Sequence, residues 1–88
     1  MKPLNYAILK YFTKVTKASV EDVINDLKEE YSTFKAFNKK DILNTLLTAE
    51  ANGLIEEIDA DLDKSGDLLI YYRVTEESKE TINYFIED

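Results

Sequence analysis

A change in hydrophobic period at Gly53 constrains the fold of this chain more than any other feature. Before Gly53, apolar residues recur at steps of three and four in three segments, which predicts three amphipathic helices. After it, the runs LIEEID and LLIYYRVT are rich in Ile, Leu, Tyr and Val and flank a polar stretch that contains Gly66. These runs predict two antiparallel strands joined by a loop. A last helix is predicted to start at Thr75.

Signals for helix ends support the three helical segments. Pro3 suits the first position of a helix over residues 3–15. Ser19, followed by an aspartate three residues later, imitates a capping box. Asn38 opens the third helix, and Gly53 ends it as a left-handed C-terminal cap would. The predicted buried stripe of this third helix consists of Ile42, Leu43, Leu46 and Leu47.

The order of these elements is helix, helix, helix, hairpin, helix. Two helices around a short turn, followed by a hairpin, describe a winged helix. We therefore predict an α+β fold with a three-helix helix-turn-helix core, a two-stranded β-hairpin wing and a C-terminal helix. A chain of 88 residues suits one domain, covering residues 1–88.

The composition excludes several classes of function. Cysteine and histidine are both absent, which rules out disulfides, the usual zinc sites and catalysis by thiolate or imidazole. No set of paired carboxylates indicates a catalytic site, so neither an enzyme nor a cofactor is predicted. The segment MKPLNYAILKYF lacks the long apolar core of a signal peptide, and no segment is long enough to span a membrane. We expect a soluble cytoplasmic protein without a membrane partner.

The stretch DLDKSGDL has the pattern of the first half of a calcium-binding loop. Asp61 and Asp63 stand at the first and third positions and Gly66 at the sixth, but the twelfth position, which needs a glutamate, is Tyr72. The favoured interpretation is a solvated hairpin tip, with local side-chain bonds to the backbone and a positive φ angle at the glycine. Weak cation binding along Asp59–Asp67 is the alternative, and no metal site is predicted.

Two segments resemble a known group of proteins. The segment NKKDILNTLLTAEANGLIEEI resembles the third helix and first wing strand of winged helix-turn-helix proteins, whose habitual Gly-Leu-Ile-Glu ending matches Gly53–Glu56. The segment YYRVTEESKE resembles the junction between wing and last helix in PadR-like and MarR-like bacterial transcriptional regulators, with the match at Tyr72–Glu76. The resemblance implies DNA binding, with the third helix in the major groove and the wing against the backbone or the minor groove.

The third helix supplies the candidate DNA contacts. Asn44, Thr45 and Thr48 lie away from the apolar stripe, where an asparagine can pair with adenine and a threonine can contact a thymine methyl group or a phosphate. Lys39 and Lys40, at the start of the helix, can contact phosphates. The leading hypothesis is a small winged-helix protein that binds double-stranded DNA and regulates transcription at an unknown target.

The uneven charge of the chain supports an alternative function. The net charge is −7, and residues 50–67 contain Glu50, Glu56, Glu57, Asp59, Asp61, Asp63 and Asp67 against Lys64 alone. Such an acidic wing repels phosphate and complements a basic surface. The alternative is therefore a protein–protein interaction module that binds a basic partner, such as a nucleic-acid-binding protein.

Two further surfaces have open interpretations. Lys10, Lys14 and Lys17 share one face of the first helix, where they either anchor the DNA backbone or form a charged exterior that offsets acids of the second helix. Tyr84 and Phe85 of the C-terminal helix, together with Ile86, either form the seam of a homodimer or close the domain.

Overall fold

The computed structural model describes residues 1–88 and contains four helices and a two-stranded antiparallel sheet. The elements are α1 (Leu4–Phe12), α2 (Val20–Tyr31), α3 (Lys39–Ala51), β1 (Ile55–Leu62), β2 (Leu68–Val74) and α4 (Glu76–Phe85). This order confirms the predicted α+β winged helix. None of the helices combines the length and the hydropathy needed to span a bilayer.

The predicted starts of α2 and α3 are confirmed by their caps, whereas α1 begins at Leu4, with Pro3 as its N-cap rather than its first residue. The Ser19 side chain accepts from the backbone N–H of Asp22, and the Asp22 side chain accepts from that of Ser19, which completes a capping box for α2. The Asn38 side chain caps α3 by accepting from the backbone N–H of Asp41, and its amide donates to the Asp41 carboxylate. Gly53 has a φ of 76°, as expected for a left-handed residue after the end of α3. Helix α1 is shorter than predicted, because the chain turns at Thr13, whose hydroxyl donates to the carbonyl of Lys10.

The hydrophobic core lies where the three first helices meet the inner end of the hairpin. Its most deeply buried side chains are Ile8, Phe12, Val23, Tyr31, Ile42, Leu46 and Ile55. Burying a side chain of this size contributes about 1.5–3 kcal/mol. The hydroxyl of Tyr31 donates to the carbonyl of Lys2 at 2.7 Å, so this large aromatic group is buried without an unpaired polar atom.

The predicted buried stripe of α3 is right for three of its residues and wrong for one. Ile42 and Leu46 are buried and Leu43 is half-buried, whereas the side chain of Leu47 is 46% exposed. Helical residues are turned by about 100° from one to the next, and the inward direction is taken by Ile42, Leu46 and Ala49. Leu47 therefore points away from the core.

The hairpin is anchored at its inner end and projects at its outer end. Strands β1 and β2 pair from Ile55 with Val74 to Leu62 with Leu68, with a bulge between Glu57 and Asp59. Ala18 and Tyr72 exchange two backbone hydrogen bonds of 2.9 Å, which attach the hairpin to the helical body. The pair at the far end, Leu62 and Leu68, is about two-thirds exposed.

The DLDKSGDL stretch forms the tip of this hairpin, as the favoured interpretation predicted. The carboxylate of Asp63 accepts hydrogen bonds from the backbone N–H groups of Ser65 (2.8 Å) and Asp67 (2.9 Å), and Gly66 has a φ of 85°. This is the local side-chain bonding that makes aspartate common in turns. No three carboxylates of the chain come together in a way that could hold a metal ion.

Candidate nucleic-acid interface

One side of α3 is exposed to solvent, and we call it the outer face of α3. It consists of Lys40, Asn44, Leu47, Thr48 and Ala51, which are all exposed. Their spacing of three and four residues aligns them along one side of the helix, opposite the buried stripe. The start of α3 is fixed by its cap, because the backbone N–H of Asp41 donates to the Asn38 side chain at 2.9 Å.

The two lysines at the start of α3 have different surroundings. The ammonium of Lys39 lies 3.0 Å from a carboxylate oxygen of Glu21 on α2. This hydrogen bond, with the charge of Glu21 and smaller effects of Asp63 and Asp67, raises the pKa of Lys39. Lys40 makes no salt bridge and is exposed on the outer face of α3. Only Lys40 is thus available to an anion without first breaking an ion pair.

Of the three polar residues predicted to contact DNA, Asn44 and Thr48 are exposed and Thr45 is half-buried. The hydroxyl of Thr45 lies 3.2 Å from the carbonyl of Asp41 and 3.3 Å from the side-chain oxygen of Asn5 on α1. It has one proton to donate to either acceptor. Thr45 therefore stands at the edge of the face, turned towards α1.

A groove of about 280 Å³ runs between α1 and α3 beside these residues. It brings Asn44 and Thr48 together with Asn52, and also with Asn5 from α1, over a floor that includes Leu9. The surface is neutral and rich in amide and hydroxyl groups. Asn5 was not foreseen from the sequence, because only the packing of α1 against α3 places it beside this helix.

The wing stands on the other side of α3 and is acidic towards its tip. Leu43 of α3 faces Leu68 and Ile70 of β2 across a small apolar pocket, with Lys39 and Asp63 at its rim. The aspartates of the tip are close enough to influence the pKa of Lys39. Any polyanion placed against the start of α3 therefore comes near these carboxylates.

Lys10, Lys14 and Lys17 do not form the common charged exterior that was one of their two interpretations, and only Lys10 lies within α1. Lys10 is buried, and its ammonium donates to the Asn83 side chain and to the carbonyl of Ile86, both at 2.8 Å. Lys14 pairs with Asp88, a carboxylate oxygen of which also lies 3.9 Å from the ammonium of Lys10. These lysines neutralise the C-terminal segment rather than acids of α2, because α4 packs against α1.

Lys17 contacts the wing. Its ammonium lies 3.0 Å from a carboxylate oxygen of Asp59 and 4.7 Å from the centre of the Tyr71 ring. The hydrogen bond from Lys17 lowers the pKa of Asp59, with the backbone N–H of Ala60 and the charge of Lys17 as further causes. This contact holds the hairpin against the end of the α1–α2 loop.

The end of α4 exposes two aromatic side chains. Tyr84 and Phe85 are 81% and 75% exposed and pack edge to face on each other, with ring centres 4.9 Å apart. Met1 and Tyr6 lie beside them across a shallow depression. We call these four residues the aromatic patch. Ile86, by contrast, is half-buried.

Comparisons with known proteins find similarity in structure. No protein-family model and no curated protein matches the chain. A PadR-like transcriptional regulator from Bacillus cereus strain ATCC 14579 superposes with a TM-score of 0.69 at 22% identity, over 93% of this chain and 76% of that one. A protein of Thermoplasma acidophilum described as a transcriptional regulator gives 0.68 at 20% identity, over 90% and 72%. The chain therefore has the winged-helix fold that these regulators share.

Proposed function

We propose that this protein is a DNA-binding transcriptional regulator that places α3 in the major groove of duplex DNA. The observation that carries the proposal is the outer face of α3, an exposed surface without carboxylates that has polar groups in its middle and a free lysine at its start. A major groove about 12 Å wide admits a single α-helix presented in this way. The regulators with the same fold support the assignment. Acting on DNA, the protein would work in the cytoplasm.

The predicted contacts have distinct roles in this proposal. Lys40 binds a phosphate, and Lys39 does so by exchanging Glu21 for the DNA backbone. The amide of Asn44 donates to and accepts from an adenine edge, and Thr48 contacts a thymine methyl group or a phosphate. Thr45 contributes at the edge of the face, once its hydroxyl leaves its acceptors on the protein.

Binding to DNA is tested by selecting duplexes from a random-sequence library at 50 mM salt and measuring their affinity by fluorescence anisotropy. Lys40→Gln is expected to weaken binding to all sequences similarly, and to reduce the slope of log K against log salt by about 1. Asn44→Ala is expected to relax the preference at one position. Lys28→Gln, at an exposed position of α2, is the matched control for lost charge. Absence of binding to every duplex at this salt would remove the proposal.

A basic protein partner is the second candidate function, and the wing is the observation that favours it. The exposed leucines Leu62 and Leu68 stand at the end of a hairpin rich in aspartate. An apolar pair ringed by carboxylates complements an apolar segment flanked by Lys or Arg. Asp67→Asn separates the two candidates, because removing this charge raises the affinity for DNA and lowers the affinity for a basic partner.

We further propose that two copies of the protein associate through the aromatic patch. Contiguous exposed aromatic groups are typical of association surfaces, and a dimer would present two copies of α3 to successive turns of the duplex. Sedimentation equilibrium of the wild type and of Phe85→Ser is the test. A wild-type monomer at 100 μM would contradict association, and Tyr71→Ser controls for loss of an aromatic group elsewhere.

A further inference from the structure

Leu47 is an exposed leucine in the middle of the outer face of α3. Its side chain is 46% exposed, and it lies one turn from Asn44 and Ala51 and next to Thr48. The hydrophobic core is complete without it, since Ile42 and Leu46 fill the inward side of the helix. Leu47 therefore contributes an apolar group to a surface that is otherwise polar.

The middle of the outer face of α3 also lacks the groups that most often recognise guanine. Bidentate contacts to guanine are made by arginine or lysine; the only lysine of the outer face, Lys40, stands at the start of the helix, and the single arginine of the chain is Arg73. It lies on β2, where its guanidinium is 3.5 Å from a carboxylate oxygen of Glu56. The middle of α3 carries the amide of Asn44, the branched apolar side chain of Leu47, and the methyl and hydroxyl groups of Thr48.

These three groups match the edges of A·T pairs in the major groove. Adenine presents an acceptor and a donor that fit an asparagine amide, and thymine presents an apolar methyl group. Side chains three and four residues apart on a helix lie about 5–6 Å from each other, and neighbouring base pairs are about 3.4 Å apart. Asn44 and Leu47 can therefore contact the same or adjacent base pairs.

We propose that Leu47 is a specificity-determining residue that packs against the 5-methyl group of a thymine, beside an adenine bound by Asn44. The inference rests on the proposed DNA-binding function and specifies its ligand as duplexes with A·T pairs under the middle of α3. The methyl group is then buried between the base and the leucine. Burial of one such group favours binding about fourfold.

The test replaces thymine by deoxyuridine, which removes only the methyl group and keeps base pairing intact. Duplexes selected by the wild type are scanned one thymine at a time by fluorescence anisotropy. The wild type is expected to lose about fourfold in affinity at one or two positions. Leu47→Ala is expected to bind the thymine and uracil duplexes equally. Alanine favours the helix and the site is exposed, so this variant should fold, which circular dichroism checks.

The matched control is Ile58→Ala, which truncates an exposed branched apolar residue of β1. It should keep the full response to deoxyuridine. Two results would each overturn the role of Leu47 while leaving DNA binding intact. In the first, the wild type binds thymine and uracil duplexes equally. In the second, Leu47→Ala keeps the full loss of affinity on deoxyuridine substitution. If the library yields no bound duplex at all, the proposed function fails, and this role fails with it.

Discussion

The buried lysine of α1 allows a quantitative test of how the C-terminal segment is held. Lys10 is only 7% exposed, and its ammonium donates to Asn83 and to the carbonyl of Ile86. Replacement by methionine keeps most of the length and the apolar character of the stem but removes the ammonium and both of its hydrogen bonds. We expect Lys10→Met to destabilise the protein and to loosen the end of α4.

The expected magnitude follows from what each acceptor loses. Asn83 is exposed, so its side chain can bond to water instead. Losing the hydrogen bond from Lys10 to Asn83 therefore contributes little to the change in the free energy of unfolding. The carbonyl of Ile86 accepts only from Lys10 and is carried by a half-buried residue. Leaving such an acceptor unpaired costs about 1–3 kcal/mol. A free-energy change of about 2 kcal/mol lowers the Tm of a domain of this size by about 10 °C.

The assay is thermal unfolding followed by circular dichroism at one fixed protein concentration, since association would otherwise shift the Tm. Lys14→Met is the matched control, because this lysine is exposed and pairs only with the exposed Asp88. The control should change stability by less than about 0.5 kcal/mol. A Tm of Lys10→Met equal to or above that of the wild type would refute the reasoning, since the two bonds would then not offset the burial of the ammonium.

Three further predictions test the core, a cap and a charge contact. Leu46→Ala should reduce the free energy of unfolding by about 2–5 kcal/mol in urea denaturation, because Leu46 is fully buried; a smaller loss would contradict its place in the core. Gly53→Ala should cost about 1–2 kcal/mol in the same assay, because φ is 76° although space for a methyl group is free. An NMR titration of Asp59 should give a pKa below its ordinary value, returning towards that value in Lys17→Gln; the contact stabilises the fold above the ordinary pKa and is lost as the pH falls through the lowered one.

The fold could be predicted from the sequence because its determinants are local. The switch in period at Gly53, the caps at Ser19 and Asn38 and the turn at Gly66 each act within a few residues. Local agreement among such signals is what makes an element order predictable. The end of α1 was misjudged by a few residues, since the apolar spacing continues past the turn at Thr13.

The candidate site was predictable only in part, because exposure on a helix depends on which neighbours cover it. Leu47 was assigned to the buried stripe, although α2 and the hairpin cover only the side that holds Ile42 and Leu46. Lys10 was grouped with exposed lysines, because its acceptors on α4 are more than 70 residues away in the chain. Asn5 reaches the groove only through helix packing. The outward placement of Asn44 and Thr48 followed from helical period alone.

The aspartates of the wing have a structural role that does not depend on binding a ligand. The carboxylates of Asp59 and Asp61 accept from the backbone N–H groups of the residues that follow them, at 2.9 and 2.8 Å, and Asp63 closes the turn. Strand β1 is an edge strand, so these bonds occupy donors that another strand would need for pairing. Lysine or arginine at the same positions could not accept these bonds. The wing thus protects its own edge with groups that repel phosphate, and in the proposed function the contacts with DNA are therefore assigned to α3.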